Sequence, residues 1–88
     1  MKVIAVYDSD GCLLYVAKNY KTAVGILFNN YYISETDELM IDGEWTTLKD
    51  YFGGDIFDIM TNTWDIDDFN EFWNGDFKME EYKVLGYD

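Results

Sequence analysis

Carboxylates are the groups through which this sequence could do chemistry. Asp67 and Glu71 stand four residues apart, and Asp68 and Glu71 three apart. Either spacing places both side chains on one face of a helix. Such a pair can in principle do hydrolytic acid–base work or hold Mg2+. Asp8-Ser9-Asp10-Gly11 also begins as a calcium loop does. That loop needs glycine at its sixth position, glutamate at its twelfth and flanking helices. The sixth position from Asp8 is Leu13, and both flanks read as strands, so the segment is expected to be a turn. Asp65-Ile66-Asp67-Asp68 is too short and too helical in context for a calcium loop.

The partners that catalysis usually needs are missing. The chain has no histidine, so neither a Ser-His-acid nor a Cys-His nucleophile can be assembled within it. All six basic residues are lysine, so no guanidinium fork is present to clamp phosphate. A single cysteine, Cys12, rules out a zinc–thiolate cluster and an internal disulfide. No glycine pattern of a P-loop or dinucleotide site occurs. The expectation is a protein without enzymatic activity, metal or cofactor. A metal-dependent carboxylate enzyme is the weakest alternative.

The elements that hold these residues can be read in order. Lys2–Tyr7 and Cys12–Val16 are rich in β-branched and aromatic residues around an Asp-Gly turn, which predicts an antiparallel hairpin. Cys12 is expected to be buried on its second strand. Asn19 can cap a helix from about Tyr20 to Tyr31, whose stripe is Tyr20, Val24, Leu27, Phe28 and Tyr31. Gly25 suggests a close approach of that helix to the sheet. Leu39–Ile41 and Glu44–Thr46 flank Asp42-Gly43 and predict a second hairpin, with Trp45 on the core. Thr47 can cap a helix carrying Leu48, Tyr51 and Phe52. Gly53-Gly54 then makes either a kink or a break before Ile56, Ile59 and Met60. Asp65 can cap a last helix, Ile66 to Trp73, ended by Asn74-Gly75. Phe77 to Tyr87 reads as an edge or bulged strand. The expected architecture is one α+β domain over residues 1–88: a small antiparallel sheet, from the N-terminal hairpin, the second hairpin and the C-terminal strand, with about three helices packed on it.

Charge is the dominant feature, at a net of -12. It is uneven. Residues 1–34 carry Lys2, Lys18 and Lys21 against Asp8 and Asp10, a net of +1; residues 35–88 sum to -13. From Asp50 to Asp76 there are eight acids and no base. Nucleic acid and anionic lipid would repel such a chain, whereas a basic protein would attract it. No apolar run approaches the ~20 residues that a membrane span needs. No leader peptide is apparent, and the expected location is the cytoplasm. Concentrated like charge destabilises a free protein, which favours a functional reason for it. Solubility alone is the competing account.

Carboxylates on successive helical turns lie about 5–6 Å apart, roughly the spacing of phosphates along a strand. A folded acidic surface can therefore enter a groove built for nucleic acid. The expected contact residues are Asp65, Asp67, Asp68 and Glu71, with Asp55, Asp58 and Asp76 around them and Trp64 as an aromatic anchor. Some of the many aromatic residues, Tyr32, Trp64 or Tyr87, are candidates for exposure. A self-paired edge strand would give a homodimer.

The opening, MKVIAVYDSDGCLLYVAKNYKTAVGILFNN, resembles small proteins of phages and mobile elements of low-GC Gram-positive bacteria, which often begin with a short hairpin and a helix. The resemblance covers about a third of the chain. The acidic, aromatic-rich profile is similar to that of anti-CRISPR inhibitors and DNA mimics. That likeness implies a phage-type inhibitor, acting in the cytoplasm of an infected bacterium, that blocks the DNA, guide-RNA or PAM site of a nuclease or other nucleic-acid-binding host protein. No residue here matches a site of either group. A structural or regulatory phage protein acting through apolar contacts is the alternative.

Overall fold

The computed structural model describes residues 2–84. The fold is α+β, with strands β1 (Lys2–Tyr7), β2 (Leu13–Ala17), β3 (Glu38–Ile41), β4 (Glu44–Thr47) and β5 (Lys78–Lys83). Its helices are α1 (Tyr20–Asn29), α2 (Leu48–Phe52), α3 (Ile56–Asn62) and α4 (Ile66–Phe72). No helix among the described residues is long and apolar enough to cross a membrane.

The strands make two sheets rather than the single one expected. β1 is the centre of a three-stranded antiparallel sheet in the order β2-β1-β5, while β3 and β4 pair only with each other. Ile4 and Val6 point from β1 into the core, joined by Ala17 and Met79 from its neighbours. Against them pack Ala23, Val24 and Leu27 of α1, Leu48, Ile56, Met60, Phe69 of α4, and Trp73. No polar or charged residue is buried among those described. β5 runs in unbroken register with β1, from Lys2 opposite Lys83 to Tyr7 opposite Lys78. It is an edge strand without a bulge, and the irregularity lies instead between β1 and β2 at Val6/Tyr7. The predicted continuation of this strand to Tyr87, and the exposure of Tyr87, lie outside the described residues.

Local chemistry explains the helix starts. The Asn19 side chain accepts the Thr22 amide at 2.8 Å, and the Thr47 hydroxyl accepts that of Asp50 at 3.1 Å. Asp55 does the same for Asp58 at 3.2 Å. Gly53 takes a left-handed φ of 68°, closing α2, so the Gly53-Gly54 interruption makes two short helices and brings the total among the described residues to four.

Three further expectations are corrected. Trp45 is 66% exposed rather than packed on the core. It lies directly across from Met40 on one side of the second hairpin, while Leu39 on the other side meets the body. Asp42 and Gly43 both have positive φ, so the turn itself is as expected; nothing in the turn dictates which face packs. Cys12 is exposed and precedes β2, because the first turn is a longer loop. The Asp8 carboxylate holds that loop, accepting the amides of Asp10 and Cys12 at 2.9 Å each. Finally, Gly25 approaches the Phe57 ring of α3 and not the sheet.

Candidate functional site

α4 carries the centre of the acidic surface, and its start is set by two of the acids themselves. The Asp65 carboxylate accepts the Asp68 amide at 3.0 Å, and the Asp68 carboxylate accepts the Asp65 amide at 3.1 Å. This reciprocal capping box satisfies two amides that a helix N-terminus leaves without partners. Asp67 completes the acidic first turn, favoured by the positive end of the helix. In α3 the cap runs one way, the Asp55 carboxylate accepting the Asp58 amide, while the Asp58 carboxylate accepts the Asn62 amide group. These four carboxylates therefore have structural reasons to be where they are. Asp67, Glu71 and Asp76 are exposed, and their side chains make no hydrogen bond among the described residues.

The eight candidate residues do not form one uniform patch. Asp65 and Asp67 line a depression of about 570 Å³ whose other walls include Lys2, Lys18, Tyr20 and Trp64. The start of α4 thus faces two lysines, one of which, Lys2, pairs with Glu81 at 3.4 Å. Asp55 lies elsewhere, beside Glu35, Phe28 and Tyr31. Asp76 lines a third depression with Asp8, Asp37 and Glu38, an acidic grouping that joins three distant parts of the chain and has no local sequence signal. Two of its members already serve turns: Asp8 as described, and Asp37 by accepting the Ser34 amide at 2.9 Å. No group of three metal-ligating side chains is placed to hold an ion among the described residues.

Beside the acids lies an aromatic cluster that sequence reasoning found only in part. Trp64 is half-buried and sits 5.2 Å from the Phe72 ring and 5.6 Å from that of Phe52. Phe52 and Phe72 are themselves 5.5 Å apart, and the exposed Tyr51 packs on both. Tilted and edge-on rings at these separations are the favoured arrangements. Trp64 and Phe72 are eight residues apart, but α2 brings Tyr51 and Phe52 to them from a separate segment. Only the tertiary fold reveals that meeting. The result is an aromatic cluster between α2 and α4, two elements that also carry Asp50 and, on α4, Asp68 and Glu71.

Tyr20 ties this region to the rest. Its hydroxyl donates to the Met60 carbonyl at 2.8 Å, linking α1 to α3, and its ring meets Phe69 of α4 edge-on at 6.4 Å. Burial, then the charges of Asp65 and Asp68, push its hydroxyl well above the ordinary tyrosine range.

Arranged this way, the region sets exposed carboxylates beside a cluster of aromatic rings. No family model, no curated protein and no solved structure matches the chain.

Proposed function

We propose that the chain binds a basic protein surface, of the kind that handles nucleic acid, through the acidic and aromatic face of α2 and α4. One observation carries this reading: the partition of charge between segments of the chain. Residues 19–77 hold thirteen carboxylates against Lys21 and Lys49. That concentration repels itself in the free protein and is relieved by a cationic partner. Among the candidate residues, Asp67, Glu71 and Asp76 make no side-chain hydrogen bond among the described residues, and they are the contacts we favour. Tyr51, Trp64 and Phe72 supply apolar anchor surface within the acidic rim, as interface hot spots do. Inhibition of a nuclease, including a CRISPR effector, in an infected bacterium is the setting that fits such a surface.

Affinity capture from a Gram-positive bacterial lysate tests the proposal. The expected result is one dominant nucleic-acid-binding protein, retained at low salt and released by high salt or by added duplex DNA. Retention that is indifferent to both salt and DNA would point to the apolar alternative.

A further inference from the structure

The two edges of the three-stranded sheet are finished differently. On β5 the strand reads Lys78-Met79-Glu80-Glu81-Tyr82-Lys83, with charges along its length. Its outward backbone is also occupied: the Asn70 side chain donates to the Met79 carbonyl at 2.9 Å and accepts the Met79 amide at 2.7 Å. Charged residues and covering groups are the usual protections of an edge strand. β2, Leu13-Leu14-Tyr15-Val16-Ala17, has neither. It contains no charged residue, and among the described residues its backbone bonds only to β1. Leu13 and Val16 are 55% and 52% exposed beside it.

We propose that a second copy of this chain pairs antiparallel with β2, joining two sheets into one of six strands in the order β5-β1-β2-β2-β1-β5. Electrostatics selects a second copy at this edge and disfavours it elsewhere. Residues 2–18 and β5 together hold four lysines (Lys2, Lys18, Lys78, Lys83) and four carboxylates (Asp8, Asp10, Glu80, Glu81), a net of zero. The helix packed beside β2 is α1, where the Tyr15 hydroxyl donates to the Ala23 carbonyl at 2.6 Å. α1 contains Lys21 and no carboxylate. Two copies thus meet at β2 without facing their acidic helices, whereas contact through α2, α3 or α4 sets like charges together. The irregularity at Val6/Tyr7 leaves Tyr15–Ala17 as the regular part of the edge, so the pairing is short and the dimer weak. Half-association is expected at about 100 µM, the regime of a small interface.

Sedimentation equilibrium from about 10 µM to 1 mM, at low and high salt, tests this directly. A monomer–dimer equilibrium is expected that strengthens with salt, as the residual repulsion between acidic layers is screened. Val16→Lys, at an exposed position in the middle of the paired segment, places like charges across the new pairing and raises the dissociation constant at least about tenfold; Leu13→Lys, exposed but outside that segment, raises it less. Amide exchange on the wild type adds a readout independent of any variant: protection within Tyr15–Ala17 rises with protein concentration. A monomer at about 1 mM in high salt overturns the proposal. So does a dimer unaffected by both lysine variants, or one without concentration-dependent protection in β2.

Discussion

Four lysines and four carboxylates are interspersed through residues 2–18 and β5, whereas residues 19–77 set thirteen carboxylates against two lysines. Both regions contribute to the same apolar core, Ile4, Val6 and Met79 from one and Leu27, Met60 and Phe69 from the other. Packing therefore does not account for the difference in charge. Nor does capping account for all of it. Asp55 and Asp65 cap helices and Asp68 completes a box, but Asp67, Glu71 and Asp76 have no such task. The comparison separates carboxylates that build the helices from those that only give the layer its field. It also separates the sheet edge proposed to meet another copy from the helices proposed to meet a cationic partner.

The largest expected effect comes from breaking the closed edge of the sheet. Asn70→Ala leaves the Met79 amide and carbonyl without partners and is expected to cost about 1–3 kcal/mol in denaturant unfolding. It also makes β5 resemble β2, and a second mode of self-association is expected. A change under about 0.5 kcal/mol would mean that Asn70 closes nothing.

Next comes pH. The Tyr20 hydroxyl titrates higher in the folded chain than in the unfolded one, where tyrosine ionises near 10. A raised folded value stabilises the fold fully below the unfolded value, and that contribution is lost as pH rises from about 10 upward. Tyr15, pushed up by burial and then by Tyr32, acts with the same sign. The denaturant midpoint should stay level between about pH 7 and 9 and fall above about 10. Tyr20→Phe should lower stability by about 1 kcal/mol at neutral pH, through the lost bond to Met60, and make the alkaline fall shallower. An unchanged alkaline slope would remove Tyr20 from the account.

Smaller effects sort the carboxylates. Asp65→Ala removes a cap and is expected to cost about 1 kcal/mol, while Asp65→Asn keeps the cap and costs less. Glu71→Gln, near the end of α4 in the acid-rich region, should leave stability unchanged or raise it by up to about 0.5 kcal/mol. Glu81→Gln, in the balanced region, loses the exposed pair with Lys2 and should lower it by no more than that. Equal effects of Glu71→Gln and Glu81→Gln would erase the distinction between the two regions.

Much of the fold was legible because its signals are local. Asp42-Gly43 announced a turn with two positive φ values, and Asn19, Thr47 and Asp65 announced helix starts by their side-chain oxygens. The β-branched strand of Lys2–Tyr7 and the stripe of α1 required only periodicity. What stayed hidden depended on long-range placement. No local pattern says that the β3–β4 hairpin forms its own sheet, or that Met40 and Trp45 take its outer side. None says that α2 delivers Tyr51 and Phe52 to Trp64 and Phe72. The acidic residues were plain in the sequence, but their division into capping and non-capping groups appears only once the helix ends are located. The two lysines facing Asp65 and Asp67 come from distant segments, Lys2 in β1 and Lys18 just after β2.

The most direct measurement compares the two layers as binding surfaces. Affinity for the captured partner would be determined for the wild type, for Asp67→Asn/Glu71→Gln/Asp76→Asn, and for Glu80→Gln/Glu81→Gln, in one buffer at moderate salt. The account predicts at least about a tenfold loss for the helical-layer variant and less than about twofold for the sheet variant. Equal losses would mean that net charge alone drives binding, and no loss in the helical-layer variant would contradict the assignment of this face.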